Sequence, residues 1–163
     1  MMSKPLPILS LLTAALAAAI LPAPAMARSH GHVLSVQGAH GRGYTAQRWV
    51  SRQPGSASFN RSVQANNGRG YSTSRERNYG PGHFDNRRSI QTNDGRGATA
   101  TRNAQWGDGH YNGSRQVVTN DGRTLSRTTS AYANGDGSVG YATTVAGPNG
   151  GTRTVSGTAY PHR

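Results

Sequence analysis

Arginine recurs through this chain at a fixed interval. Arg48, Arg75 and Arg102 form one series, Arg61, Arg88 and Arg115 a second, and Arg42, Arg69, Arg96 and Arg123 a third. Guanidinium stays charged at any physiological pH and meets phosphate, sulfate or carboxylate through paired N–H donors. Aromatic residues, among them Tyr44, Tyr71, Phe84, Trp106 and Tyr111, are interleaved with these arginines. Such a basic lattice suits a long polyanion held mainly by electrostatics, such as extracellular DNA, an acidic exopolysaccharide or lipopolysaccharide. The same arginines also keep an exposed β-surface soluble and oppose edge-to-edge aggregation, so charge alone does not choose between the two roles.

Histidine offers a second chemistry. Cleavage after Ala27 would leave an N-terminus reading Arg28-Ser29-His30. A free α-amine, two deprotonated backbone amides and an imidazole at the third residue make a square-planar four-nitrogen site, the geometry of Cu(II) or Ni(II). His32 and His40 follow closely enough in sequence to add a ligand. His83 and His110 recur one interval apart beside a turn, which fits inherited turn structure better than metal binding. Asp94, Asp121 and Asp136 stand singly, without the dense oxygen set that calcium requires. The chain has no cysteine, Glu76 is its only glutamate, and no serine sits in a G-x-S-x-G elbow. The expectation is a protein that is not an enzyme.

The interval behind these series is a tandem repeat of about 27 residues. Val36, Val63, Ile90 and Val117 open successive copies. Each leads into a related turn: HGRG at His40, NGRG at Asn67, DGRG at Asp94 and DGRT at Asp121. A second turn falls half a period later, at Pro54-Gly55, Pro81-Gly82, Asp108-Gly109 and Asp136-Gly137. Asn-Gly and Asp-Gly supply the positive backbone angles of tight hairpins. The segments between turns alternate: Phe84, Asn86, Arg88 and Ile90 share one face, and Ser, Thr, Asn and Gln dominate the other. The spacing therefore predicts an all-β fold of two-strand repeats, an antiparallel meander of about ten strands. A β-solenoid with one coil per copy fits the same spacing, and the low content of Leu, Ile, Val and Phe also admits a largely disordered chain. Stacking equal copies would place the matched arginines in columns.

The Asn-Asp-Gly-Arg turns, NDGRG at Asn93 to Gly97 and NDGRT at Asn120 to Thr124, are similar to those of bacterial secreted β-hairpin repeat proteins of the YD/RHS type. That resemblance spans roughly Val36 to Tyr160 and implies repeat architecture only, since the Tyr-Asp dipeptide is absent from every copy.

The organisation read from the sequence begins with a signal peptide over 1–27. Lys4 heads the apolar run Leu6 to Leu21, and Ala25-Met26-Ala27 forms the cleavage pattern. A short segment 28–35 precedes the repeat domain 36–160, divided 36–62, 63–89, 90–116, 117–144 and a partial copy 145–160 that runs one residue out of phase. A tail 161–163 ends the chain. The whole chain has a net charge of +12; from Arg28 onward, 17 arginines against 6 acids leave +11. Nothing after Ala27 is apolar enough to span a bilayer as a helix. The functional expectation is an exported, basic, structural or adhesive protein of the periplasm, cell surface or matrix, which binds polyanions or associates with itself. Cu(II) or Ni(II) binding at Arg28, Ser29 and His30 is the alternative.

Overall fold

A computed structural model describes residues 27–160. Residues 1–26, all but the last position of the expected signal peptide, and the expected tail 161–163 lie outside these. Ten strands follow one another: β1 (Arg28–Gln37), β2 (Gly43–Gln53), β3 (Ser56–Ala65), β4 (Gly70–Gly80), β5 (His83–Thr92), β6 (Gly97–Gly107), β7 (His110–Thr119), β8 (Thr124–Ala133), β9 (Val139–Ala146) and β10 (Thr152–Ala159). They form one sheet in sequence order, every neighbour antiparallel. The meander is therefore the fold. The solenoid fails because stacked coils would place their strands parallel, and the disordered reading fails because backbone ladders run from Arg28 to Ala159. The segment 28–35 makes up most of β1, which pairs with β2 along its whole length.

The sheet is a single layer with almost no core. Ala104 at 6 % exposure and Ser138 at 2 % are its buried hydrophobic and polar side chains. Backbone pairing and contacts between neighbouring side chains must hold it together, as the scarcity of aliphatic residues anticipates. No helix of the described residues is long and apolar enough to cross a membrane.

The turns at the two ends of the strands differ, and that difference sets the register. At one end, two-residue turns pair Gln53 with Ser56, Gly80 with His83 and Gly107 with His110. At the other, longer turns close through Ala65 N–H to Arg69 O at 2.8 Å, Thr92 N–H to Arg96 O at 2.8 Å and Thr119 N–H to Arg123 O at 3.0 Å. The HGRG turn has the matching closure, Gly38 N–H to Arg42 O at 2.6 Å. Its interior departs from the others: Ala39–Gly41 is a short 3-10 turn with His40 at φ 57°. The turn before β9 also departs from its series. It is a longer loop closed by Asn134 N–H to Ser138 O and held by Asp136, which accepts from the Ser138 backbone N–H at 2.9 Å and its hydroxyl at 2.6 Å. The extra residue accounts for the phase slip of the last copy, whose turn closes from Gly147 N–H to Gly151 O.

Consecutive hairpins are tied to each other at both ends. The side-chain amide of Asn66 donates to Gly41 O and Gln37 Oε1, that of Asn93 to Gly68 O and Gln64 Oε1, and that of Asn120 to Gly95 O and Gln91 Oε1. The same asparagines donate their backbone N–H to Gly43, Gly70 and Gly97. At the opposite end the carbonyls of Gly55, Gly82 and Gly109 accept from the N–H groups of Tyr79, Trp106 and Ala133.

Gly82 has a double role there. Its φ is 72°, and a Cβ at that position would lie 2.7 Å from the Trp106 carbonyl oxygen. Gly95 has φ 84° but open space around it. Gly82→Ala should therefore cost more than Gly95→Ala. The left-handed backbone costs both variants about 1–2 kcal/mol, and Gly82→Ala also strains the link to β6. Urea denaturation followed by circular dichroism checks the order, and equal losses would refute the linking role.

Candidate anion-binding face

Alternation along each strand and pairing between strands sort the side chains onto two unlike faces. Every arginine in a strand, except Arg87, lies on one face together with most of the aliphatic and aromatic residues. Among the described residues, no strand carboxylate shares that face. The strand acids, Glu76 and Asp85, lie on the other among Ser, Thr, Asn and Gln, where Glu76 stands opposite Arg87.

The arginines do not form the straight columns that stacking in phase with the repeat would give. Arg48 faces Arg61, and Arg61 faces Thr73 rather than Arg75. Crossing two strands carries the pairing from Arg77 through Asn86 to Arg102, whereas the repeat matches Arg102 with Arg75. The matched series consequently run obliquely, as directly opposed pairs Arg48/Arg61, Arg75/Arg88 and Arg102/Arg115.

A straight row exists, at the spacing of the pairing. Arg28, Arg52, Ala57, Arg77, Asn86, Arg102, Arg115, Arg127, Val145 and Arg153 stand opposite one another in turn across all ten strands. Seven of these ten are arginine, along roughly 43 Å of sheet at the usual strand separation. The sequence reading missed Arg52, Arg77, Arg127 and Arg153. Arg52, Arg77, Arg102 and Arg127 do recur at one constant interval, slightly shorter than the repeat, and that is the signal that would have found all of these but Arg153.

Like charges placed opposite one another across strands are destabilising, and no carboxylate on this face offsets them. Aromatic rings and one amide hold several guanidinium groups instead. Arg48 lies over Phe59 at 5.3 Å, Arg61 over Tyr71 at 5.8 Å and Arg102 over Phe84 at 5.8 Å, contacts worth about 0.5–1 kcal/mol each at exposed sites. Asn86 Oδ1 accepts from Arg75 Nε at 3.1 Å and Arg77 Nε at 3.4 Å. The oblique pairs meet the straight row in a shallow depression of about 560 Å³, lined by Arg75, Arg88, Arg102, Arg115, Arg127 and Tyr111. Five permanent cations converge there.

The turn arginines belong to a different setting. Arg96 pairs with Asp94 at 3.5 Å and Arg123 with Asp121 at 3.1 Å, all four side chains well exposed at the sheet margin. Arg42 and Arg69 sit in turns where His40 and Asn67 replace that aspartate. Hydrogen bonds hold the turn carboxyls below the ordinary value of 3.8. For Asp94 these come from the Thr92 hydroxyl and the Arg96 N–H, and for Asp121 from the Thr119 hydroxyl, with lesser help from the Arg123 N–H and guanidinium. Asp136 is lowered by the hydroxyl and N–H of Ser138. A carboxyl with a depressed folded pKa stabilises the fold above its unfolded value and loses that contribution as pH falls through the folded one. Stability should thus be level near neutrality and decline below about pH 3.8. Asp94→Asn/Asp121→Asn should flatten that decline, since Asn67 already serves the equivalent turn uncharged. Thermal unfolding at pH 6 and pH 2.5 tests this, and an unchanged acid loss in the variant would count against it.

Arg28, Ser29 and His30 lie in β1, paired with Arg52, Ser51 and Val50. Their four-nitrogen chelate would require the start of β1 to leave the ladder, and His30 and His32 share their face with Arg28, Arg48 and Arg52. His83 and His110 both lie on the polar face, opposite Gln105 and Tyr132. No family model, no curated protein and no solved structure matches this chain.

Proposed function

We propose that this is an exported, non-enzymatic β-hairpin repeat protein that binds polyanions through its arginine face, in a structural or adhesive role at the cell surface, in the periplasm or in the matrix. The observation that carries the reading is the separation of charge: an arginine row spans the sheet, two opposed guanidinium pairs lie beside it and a third within it, and every strand carboxylate of the described residues is on the reverse side. A face that served solubility alone would gain from mixed signs, which lessen the repulsion between opposed arginines. Anionic groups seated between the guanidiniums remove that repulsion and receive charge-assisted hydrogen bonds. The extended, shallow shape suits a chain-like or surface-borne anion better than a small enclosed ligand.

The test is binding to heparin and to single-stranded DNA, titrated against salt. Retention should fall steeply as salt rises, in proportion to the number of anionic groups neutralised. Binding that is absent at low salt, or indifferent to salt, would leave only a scaffold role. Self-association through this face is disfavoured by the same charge, because two copies face to face would oppose their arginine rows.

A further inference from the structure

We infer that the arginine face docks on a lipid surface bearing phosphate headgroups, an inference that rests on the polyanion reading and narrows it. Of the fifteen large apolar side chains exposed on strands, eleven lie on the arginine face and four on the reverse. Val145 stands in the arginine row, and the other ten flank it on both sides. Leu34, Ile90 and Leu125 lie toward the longer turns, and Tyr79, Trp106 and Tyr141 toward the two-residue turns or their counterparts. A hydrophilic polyanion such as DNA or an acidic polysaccharide satisfies the guanidiniums but leaves these aliphatic side chains in water. An anionic lipid surface satisfies both. Leu and Ile enter the acyl boundary, Trp and Tyr rest at the headgroup level, and the long arginine side chains reach phosphate while their methylenes stay among apolar groups. The reverse face, with its Ser, Thr, Asn and Gln, is built for water.

The chain carries its own reporters, because its two tryptophans stand on opposite faces. Trp106, 46 % exposed, is on the arginine face; Trp49, 52 % exposed, is on the polar one, where it covers Gly31. The experiment takes the protein recovered after export, its N-terminus sequenced, as Trp49→Phe and as Trp106→Phe. Both are first checked for a β-type circular dichroism spectrum. Each is mixed with vesicles of phosphatidylglycerol or phosphatidylcholine carrying brominated acyl chains. With phosphatidylglycerol, Trp106 fluorescence should shift to shorter wavelength and be quenched at least about twofold. Trp49 should change little, and phosphatidylcholine should have little effect on either. Equal quenching of both tryptophans, or none of Trp106, overturns the docking. Heparin retention of the same preparations separates the two ideas. Salt-sensitive retention without Trp106 quenching removes the lipid surface and keeps the polyanion reading, whereas loss of both removes both.

Discussion

Replacing Arg102, Arg115 and Arg127 together by glutamine should weaken heparin and DNA binding by about 100-fold or more at low salt. It should also lower the slope of log affinity against log salt by about 2–3, since each phosphate or sulfate contact releases somewhat less than one counterion. These three arginines stand directly opposite one another on β6, β7 and β8 and line the depression where the oblique pairs meet the row. No salt bridge among the described residues holds any of them, and Arg102 lies over the Phe84 ring. Their removal should leave the fold intact, and even slightly relieved of repulsion. Unchanged circular dichroism with a diminished slope is the expected pair of results. Arg96→Gln/Arg123→Gln/Arg69→Gln is the comparison, because those side chains sit at the turns and two of them already have a carboxylate. A similar loss in both triples would mean that only net charge matters, and that the row has no special part.

The largest stability effect is expected from the asparagines that join the turns. Asn93→Ala/Asn120→Ala removes four side-chain hydrogen bonds between successive hairpins, with distances of 2.6 to 2.9 Å. At about 0.5–1.5 kcal/mol net for each bond, the pair should cost about 2–6 kcal/mol. In a sheet with hardly any buried side chain that is a large part of the total. Asn67→Ala is the control. Asn67 Oδ1 accepts from Arg69 N–H within its own turn and reaches no neighbouring hairpin, so its loss should be several-fold smaller. Urea midpoints rank the variants, and amide exchange should show weakened protection at the longer-turn end of β5 to β7 first. Equal losses for Asn67 and the pair would show that the links between turns add nothing.

These links were open to view in the sequence and were not read from it. Gln37, Gln64 and Gln91 precede Asn66, Asn93 and Asn120 by one constant interval, slightly longer than the repeat. In the next copy the glutamine position is Val118 and the asparagine position is Gly147, so acceptor and donor vanish together. Ala39 likewise leaves the first turn without a donor. The ladder is thus finite, with altered end copies, as repeat arrays require. A polar pair so far apart along the chain has no meaning until the chain is known to reverse twice between its members.

What the sequence determined by itself was local. Asn-Gly, Asp-Gly and Pro-Gly pairs demanded reversals, the Thr, Val and Tyr segments between them demanded strands, and alternation placed Phe84, Asn86, Arg88 and Ile90 on one side. Side-chain direction along a strand is a property of adjacent residues, so the two unlike faces were legible before any pairing was known. What only the tertiary structure decided was opposition. Which residues stand across from each other depends on the lengths of two different turns at opposite ends of the strands, closed by hydrogen bonds between hairpins. Those turns set an advance slightly shorter than the repeat from β2 to β4, β6 and β8, and slightly longer from β1 to β3, β5 and β7. The mismatch turned the expected arginine columns into oblique pairs, and it brought Arg52, Arg77, Arg102 and Arg127 into one row across the sheet.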